Sequence, residues 1–149
     1  MKRTALLVIV PAALLALAAF VPTAPQGGGK GPPSKLGGVM EDMDATVKSL
    51  TKAVAAKASM EAALPDVAKL QKLVLDAKAE VPESITALTD AKAHKKALLG
   101  YKTQMLELER ATLDLEAAML VDDAKKADKA LREVDKIKSA GHSEFRKEK

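Results

Sequence analysis

The sequence contains no cysteine and no tryptophan, and only one tyrosine and two phenylalanines. Without cysteine, a disulfide framework, a thiolate metal site and a thioether-linked cofactor are all excluded. The scarcity of aromatic residues argues against a β-sandwich or barrel, whose strands normally use aromatic and β-branched side chains. It also leaves no platform on which the bases of a nucleic acid could stack.

An excess of charge of one sign is also missing. The 24 Lys and Arg residues nearly balance the 20 Asp and Glu residues, which gives a formal net charge of +4. So small an excess does not indicate nucleic-acid binding, and we expect no nucleic-acid partner. What the sequence does contain is 48% apolar and 30% charged residues. Ala, Leu, Lys, Asp and Glu dominate, which is typical of helical proteins.

The N-terminal part combines two basic residues with a long apolar run. Lys2 and Arg3 precede residues 5–21, a pattern that is typical of a secretory signal. The run is short for a membrane span, and Pro11 interrupts it. Small residues around Ala18 and around Ala24 offer two cleavage positions. An uncleaved N-terminal anchor is the alternative.

These features predict three parts of the chain. Residues 1–24 form a signal peptide, so the protein is periplasmic or secreted and keeps no stable membrane span after cleavage. Residues 25–38 are rich in Gly and Pro and form a flexible linker. Residues 39–149 form one domain.

Apolar residues recur every three or four positions from residue 36 onward, which is typical of the buried face of a bundle helix. The first helical segment carries this stripe at Leu36, Met40, Met43, Val47, Leu50 and Val54. The second segment begins either with Ser59 as its N-cap or with Pro65 at its first helical position. Pro82 ends the second segment, because proline cannot donate the backbone hydrogen bond that a helix needs.

The third and fourth segments complete the domain. The third follows Pro82, with Ser84 as a possible cap, and runs to about Val121. Asp122 or Asp123 then caps a fourth segment that continues to the C-terminus. No strand or hairpin pattern is present. Four amphipathic helices with short links predict an all-α, up-down-up-down antiparallel four-helix bundle.

His142 lies in the last turns of the fourth segment, on the same side as the core residue Leu131. A lone inward histidine is most often a packing or capping residue. In an up-down bundle, however, it lies at the same end as Met40, and thioether and imidazole together are the axial ligands of a low-spin haem. Met40 and Met43 could equally be adaptable core residues. Gly141 removes side-chain volume where a porphyrin would need room.

Three stretches of the sequence resemble the soluble cytochrome b562 family. In residues 138–146 a histidine is followed three residues later by an aromatic and then a basic residue, as at the end of that family's fourth helix. Residues 40–50 are similar to its first helix, which carries an early methionine. Residues 75–82 are similar to the end of its second helix. The resemblance covers residues 36–146.

The resemblance implies a non-covalent b-type haem whose iron is bound by Met40 and His142, with Met43 as the fallback ligand. Tyr101 would pack against the haem, and Met105 lies one turn further along. Lys138 would either approach a haem propionate or reach solvent. Lys138 and Gly141 also occupy the places of the two haem-attaching cysteines in the related cytochromes c′, so attachment cannot be covalent.

Two residues weaken this pattern. Ala97 stands one turn before Tyr101, where the family has a second aromatic residue. His94, on the third segment, is either a partly buried surface histidine or a replacement ligand if Met40 does not bind.

The expected function is that of a periplasmic one-electron carrier rather than an enzyme, because two protein ligands leave the iron no open position for a substrate. We expect a monomer that meets an unidentified redox protein. No catalytic constellation or glycine-rich phosphate loop competes with this interpretation. The alternative is a haem-free exported helical-bundle binding or interaction protein. A third possibility, an open-site gas-binding haem protein, requires that Met40 does not ligate.

Overall fold

The computed structural model describes residues 34–56 and 59–146, and these residues form helices and no strands. In chain order the helices are α1 (Lys35–Ala55), α2 (Met60–Ala79), α3 (Glu83–Thr86), α4 (Ala91–Leu120) and α5 (Ala124–Phe145). The four long helices confirm the all-α bundle. The predicted signal peptide and residues 25–33 of the predicted linker lie outside the described residues.

The four long helices pack in a ring in which α1 adjoins α2, α2 adjoins α4, α4 adjoins α5, and α5 adjoins α1. Polar pairs show that neighbours run in opposite directions. Lys35 at the start of α1 pairs with Glu80 just after α2, while Ser49 further along α1 donates to Asp66 of α2 at 2.8 Å. The predicted up-down-up-down order is therefore observed.

One face of each long helix supplies the core between them. Completely buried side chains from all four helices meet there, among them Leu50, Leu70, Leu108, Leu115 and Val134. None of the helices among the described residues combines the length and apolar character that a bilayer span requires.

The start of α1 corrects the predicted linker boundary at residue 38. Ser34 caps the helix by accepting a hydrogen bond from the Gly37 amide at 3.1 Å, so residues 35–38 are helical. The cap satisfies an N–H group that would otherwise have no partner, which offsets the cost of two glycines in the first turn.

The start of α2 decides between the two predicted alternatives. Ser59 is the N-cap, and its hydroxyl accepts a hydrogen bond from the Ala62 amide at 3.4 Å. Pro65 lies inside the helix, so the prediction that it begins the helix is wrong. The helix ends at Ala79, before Pro82.

The start of α4 also corrects a prediction. Ser84 does not cap it, because residues 83–86 form the separate turn α3, whose Ile85 is buried in the core. The Ser84 hydroxyl instead donates to the Phe145 carbonyl at 2.6 Å. Asp90 caps α4, and Asp123, one of the two predicted candidates, caps α5.

Candidate functional site

A cleft of about 490 Å³ opens where α1 begins and α5 ends, beside α3 and the first half of α4. Ligand pockets in proteins typically measure about 300–1,000 Å³. The lining includes all five side chains that the sequence singled out, namely Met40, Tyr101, Met105, Lys138 and His142. They come from three helices whose common end follows from the up-down topology.

Met40 and Met43 lie one turn apart on α1 but have different surroundings. Met40 is half-buried and lines the cleft. Met43 is completely buried in the core and does not belong to the lining. Met40 is therefore the methionine whose thioether is placed for a ligand.

The two histidines also differ. His142 lies in the last turn of α5, is half-buried and lines the cleft. Its imidazole forms no hydrogen bond or ion pair with any described residue. His94 is absent from the lining and lies two turns before Tyr101 on α4, about 10 Å further along the helix axis. The cleft is thus accessible to His142 and not to His94.

Tyr101 and Phe145 form an aromatic wall. Their ring centroids are 5.4 Å apart, in an edge-to-face arrangement with an interplanar angle of 81°. The Tyr101 hydroxyl donates to the Ala77 carbonyl at 2.6 Å. Burial, assisted by the negative charge of Glu80, raises the pKa of Tyr101 to about 12, so the phenol stays neutral. Hydrogen bonding and packing therefore hold this wall in place.

Phe145 was missing from the predicted site, although it provides the aromatic ring that Ala97 does not. Its side chain is 8% exposed and lines the cleft beside Tyr101. The signal was present in the sequence, because residues three apart on a helix share a face, and Phe145 is three residues after His142.

Lys138 links α5 to α1 along the side of the cleft. Its Nζ atom lies 2.7 Å from Asp44 Oδ1 and 2.9 Å from Asp135 Oδ1, and the side chain is 12% exposed. Burial lowers the pKa of Lys138, but hydrogen bonds and charge from the two carboxylates outweigh it and raise the pKa above its ordinary value. The possibility that Lys138 simply reaches solvent is therefore wrong.

Asp44, the lysine's partner on α1, was not predicted as a site residue. It follows Met40 by four positions, so the two side chains lie on the same face of α1. The sequence could have indicated this proximity, but not the pairing with Lys138, which depends on how α5 packs against α1.

Gly141 allows α5 to approach a side chain of α4 closely. A Cβ atom at this position would lie 3.0 Å from the side-chain oxygen of Gln104 on α4. That oxygen is buried and has no hydrogen-bond partner among the described residues, while the amide nitrogen donates to Glu144 at 3.1 Å. The missing side chain lets α5 approach Gln104, and Gly141 also lines the cleft, so the expectation that it leaves room for a porphyrin stays a prediction.

The lining of the cleft carries charges of both signs. Glu41, Asp44 and Glu83 contribute carboxylates, and Lys138 and Arg146 contribute cations. Lys138 is already paired with Asp44. No carboxylate within the described ranges pairs with Arg146, so its guanidinium is the cation best placed for an anionic ligand.

Another cleft, of about 570 Å³, lies at the opposite end between the start of α2 and the end of α4. Met60 and Met119 line it, but no histidine does. Within residues 34–56 and 59–146, no three His, Asp or Glu side chains gather in a way that could hold a free metal ion. Of the two clefts, the one near His142 is the better candidate site, because its lining combines a methionine with a histidine.

No family model, no curated protein and no solved structure matches the chain. Its function has to be inferred from the side chains of the cleft.

Proposed function

We propose that the cleft binds a non-covalent b-type haem with Met40 and His142 as axial ligands, and that the protein is a periplasmic or secreted one-electron carrier. The observation that supports this most is the lining itself. A thioether from the start of α1 and an imidazole from the end of α5, which has no partner among the described residues, border the same cleft. This is the ligand pair that the resemblance of residues 36–146 to the soluble cytochrome b562 family implies.

The other residues of the cleft also suit a haem. Tyr101 and Phe145 offer an aromatic wall, and Met105 extends the apolar surface. Arg146 lies in the lining as a cation for the propionates. A bound haem would supply one-electron redox chemistry, with a reduction potential raised by its methionine ligand.

The protein's own contribution is to hold the two ligands in place. The Lys138–Asp44 pair joins the helix that carries His142 to the helix that carries Met40. The hydrogen bond from Ser84 to the Phe145 carbonyl fixes the end of α5 one turn beyond His142. Ligands held on packed helices need little rearrangement when the cofactor binds.

A haem-free binding or interaction protein is the second candidate, and two contacts favour it. Lys138 is already occupied by two carboxylates, and Gln104 already fills the space beside Gly141. Both contacts reduce the polar and open surface that a cofactor could use. Against this candidate stands the cleft at the His142 end, where a haem-free bundle would pack its apolar stripes closely.

The ligand assignment can be tested by adding haem to the purified protein, in the form that the expressing cell produces. Absorption spectra are then recorded in both redox states. We expect a low-spin, six-coordinate haem in the wild type. Met40→Leu keeps the side-chain volume but removes the thioether, so it should yield a five-coordinate or high-spin spectrum.

Met43→Leu is the matched control and should leave the spectrum unchanged, because Met43 is completely buried in the core. If the spectrum after addition of haem stays that of free haem, the haem-free candidate replaces this proposal. If Met43→Leu changes the spectrum and Met40→Leu does not, the methionine assignment is wrong.

A further inference from the structure

The outer side of α4 carries four leucines at intervals of seven residues. Leu99, Leu106, Leu113 and Leu120 are 60%, 42%, 52% and 65% exposed, respectively. Seven residues are close to two helical turns, so these side chains form one line that drifts by only about 20° per interval. We call this set the leucine line. It faces away from Leu108 and the core, and a seven-residue interval is the spacing of a coiled-coil seam.

An exposed leucine of α2 widens the leucine line. The outer edges of α2 and α4 are joined by two hydrogen bonds of 2.7 Å each, Gln71–Glu116 and Lys78–Glu109. Leu75, which is 50% exposed, lies between the two α2 residues, and Leu113 lies between the two α4 residues. The two leucines are therefore level with each other on the outer surface of this helix pair.

Exposed apolar side chains concentrate on this surface. Of the eight large apolar residues that are exposed in the described part of the chain, five lie along it: Leu75, Leu99, Leu106, Leu113 and Leu120. Single exposed leucines are common, but a continuous apolar surface usually marks an interaction site.

The charges beside the leucine line change sign along α4. Its first two turns expose Lys92, Lys95 and Lys96, whereas Glu107 and Asp114 are exposed in its second half and Asp122 follows its end. The exposed exceptions are Asp90, which caps the start of α4, and Arg110 near its middle. A helix with a basic first half and an acidic second half complements a second copy of itself in antiparallel orientation. A parallel copy would place like charges together along the whole helix, whereas in an antiparallel pair only residues near the centre, such as Arg110, meet their own copies.

We propose that the leucine line joins two copies of this chain, with their α4 helices antiparallel about a twofold axis close to Arg110. Leu99 packs against the partner's Leu120, and Leu106 packs against the partner's Leu113. In this register Lys95 and Lys96 of each α4 are level with residues 123–124 of the partner subunit, next to the exposed Asp122 of the partner subunit. In such a twofold interface every contact occurs twice.

This dimer differs from the monomer that we expected from the sequence. The sequence does not show which face of α4 is buried, so the exposure of these leucines could not be predicted. The dimer does not depend on haem binding. The leucine line lies on the outer side of α4, whereas Tyr101 and Met105 of the same helix face the cleft.

The first test measures the molar mass of the purified protein, in the form that the expressing cell produces. Sedimentation over a range of concentrations gives this mass. We expect a reversible dimer. Leu106→Gln combined with Leu113→Gln should raise the dissociation constant roughly a hundredfold or more, because both leucines are buried twice in the interface.

The matched control is Leu88→Gln, which alters a 40% exposed leucine outside the leucine line and should leave the dissociation constant unchanged. A wild type that is monomeric at every concentration overturns the proposal, including the case in which the leucine line binds a different protein. A dimer that the double variant does not weaken overturns it as well.

The second test determines the relative orientation of the two α4 helices by disulfide cross-linking. Because the sequence contains no cysteine, only an introduced cysteine can form the cross-link. Under oxidation, Arg110→Cys should form a disulfide-linked dimer, because the two copies of position 110 meet near the axis. Lys96→Cys lies on the same side of α4, two seven-residue intervals earlier. Its copies would be about 40 Å apart, so it should not cross-link. Cross-linking of both variants, of Lys96→Cys alone or of neither overturns the antiparallel arrangement.

Discussion

The ionisation of the single tyrosine of the chain can be used to test whether the wall of the cleft is buried. Its hydroxyl donates to the Ala77 carbonyl, and burial, followed by the charge of Glu80, raises its pKa from 10.0 to about 12. We expect the tyrosinate absorbance of the folded protein to titrate near that value. Because no other tyrosine is present, the signal belongs to Tyr101 alone.

This pKa also fixes the sign of a stability change. A folded-state pKa above the unfolded value means that the folded protein retains a proton that the unfolded chain has lost. Stability is therefore full below pH 10 and falls as the pH rises toward 12, by roughly 3 kcal/mol. Urea unfolding at several pH values should show this loss in the wild type and not in Tyr101→Phe. A tyrosine that titrates at its ordinary pKa would contradict the buried phenol.

The glycines of the helices provide a second test at the scale of single residues. A Cβ atom at Gly38 would meet no atom within 4 Å, so Gly38→Ala should stabilise the protein by about 0.5–1 kcal/mol in urea unfolding. Gly141→Ala should stabilise it by less than Gly38→Ala does, since the new methyl group lies 3.0 Å from the Gln104 oxygen, which has to move. In a Gln104→Ala background the Gly141 substitution should become more stabilising. Equal gains at both glycines in the wild type would refute the contact with Gln104.

At the scale of elements, Lys138 shows how α5 is attached to α1. Lys138→Met should cost about 1–3 kcal/mol of unfolding free energy, because it removes the cation that neutralises Asp44 and leaves a partly buried carboxylate without a partner. Lys136→Met is the control. Lys136 is 75% exposed and pairs only with Glu133 of its own helix, so the loss should be below about 0.5 kcal/mol.

The pH dependence of this pair follows from the raised pKa of Lys138. The stabilisation is fully present below the ordinary lysine pKa and is lost as the pH rises through the raised value. As the pH rises from neutral, the difference in stability between wild type and Lys138→Met should therefore shrink only at strongly alkaline pH. A difference that disappears near neutral pH would contradict the ion pair.

The helix boundaries show what local sequence can predict. Ser59 and Asp123 were each one of two predicted alternatives for a helix start, because a side-chain oxygen before an apolar stripe is a local feature. The same reasoning failed for Ser84, since its hydroxyl bonds to a carbonyl 61 residues away. A contact at that separation is set by the packing of α3 against the end of α5, which the local pattern does not contain.

At the scale of the whole molecule, helical periodicity and short links were sufficient to predict the bundle and its up-down order. That order brings the start of α1, the start of α4 and the end of α5 together, which explains why Met40, Tyr101 and His142 meet at one cleft. The sequence could not choose between Met40 and Met43, which lie only about 60° apart around the helix. The choice depends on the core, where Met43 is completely buried.

The features that were not predicted from the sequence depend on how the helices pack. The pairing of Lys138 with Asp44 and the close approach of Gly141 to Gln104 each join residues of two helices. The leucine line follows the same seven-residue spacing as a core stripe, so periodicity alone cannot distinguish an inner seam from an outer one. Only the assembled bundle shows that Leu106 and Leu113 are exposed.

Haem titration at equilibrium tests the central claim most directly, with the Soret absorbance measured for the wild type, His142→Ala and His94→Ala. We expect one haem per chain in the wild type and in His94→Ala, whose histidine lies outside the cleft. His142→Ala should bind haem roughly tenfold or more weakly, because it loses an axial ligand. Equal affinity in His142→Ala and the wild type, or no saturable haem binding at all, would contradict the assignment of this cleft as a haem site.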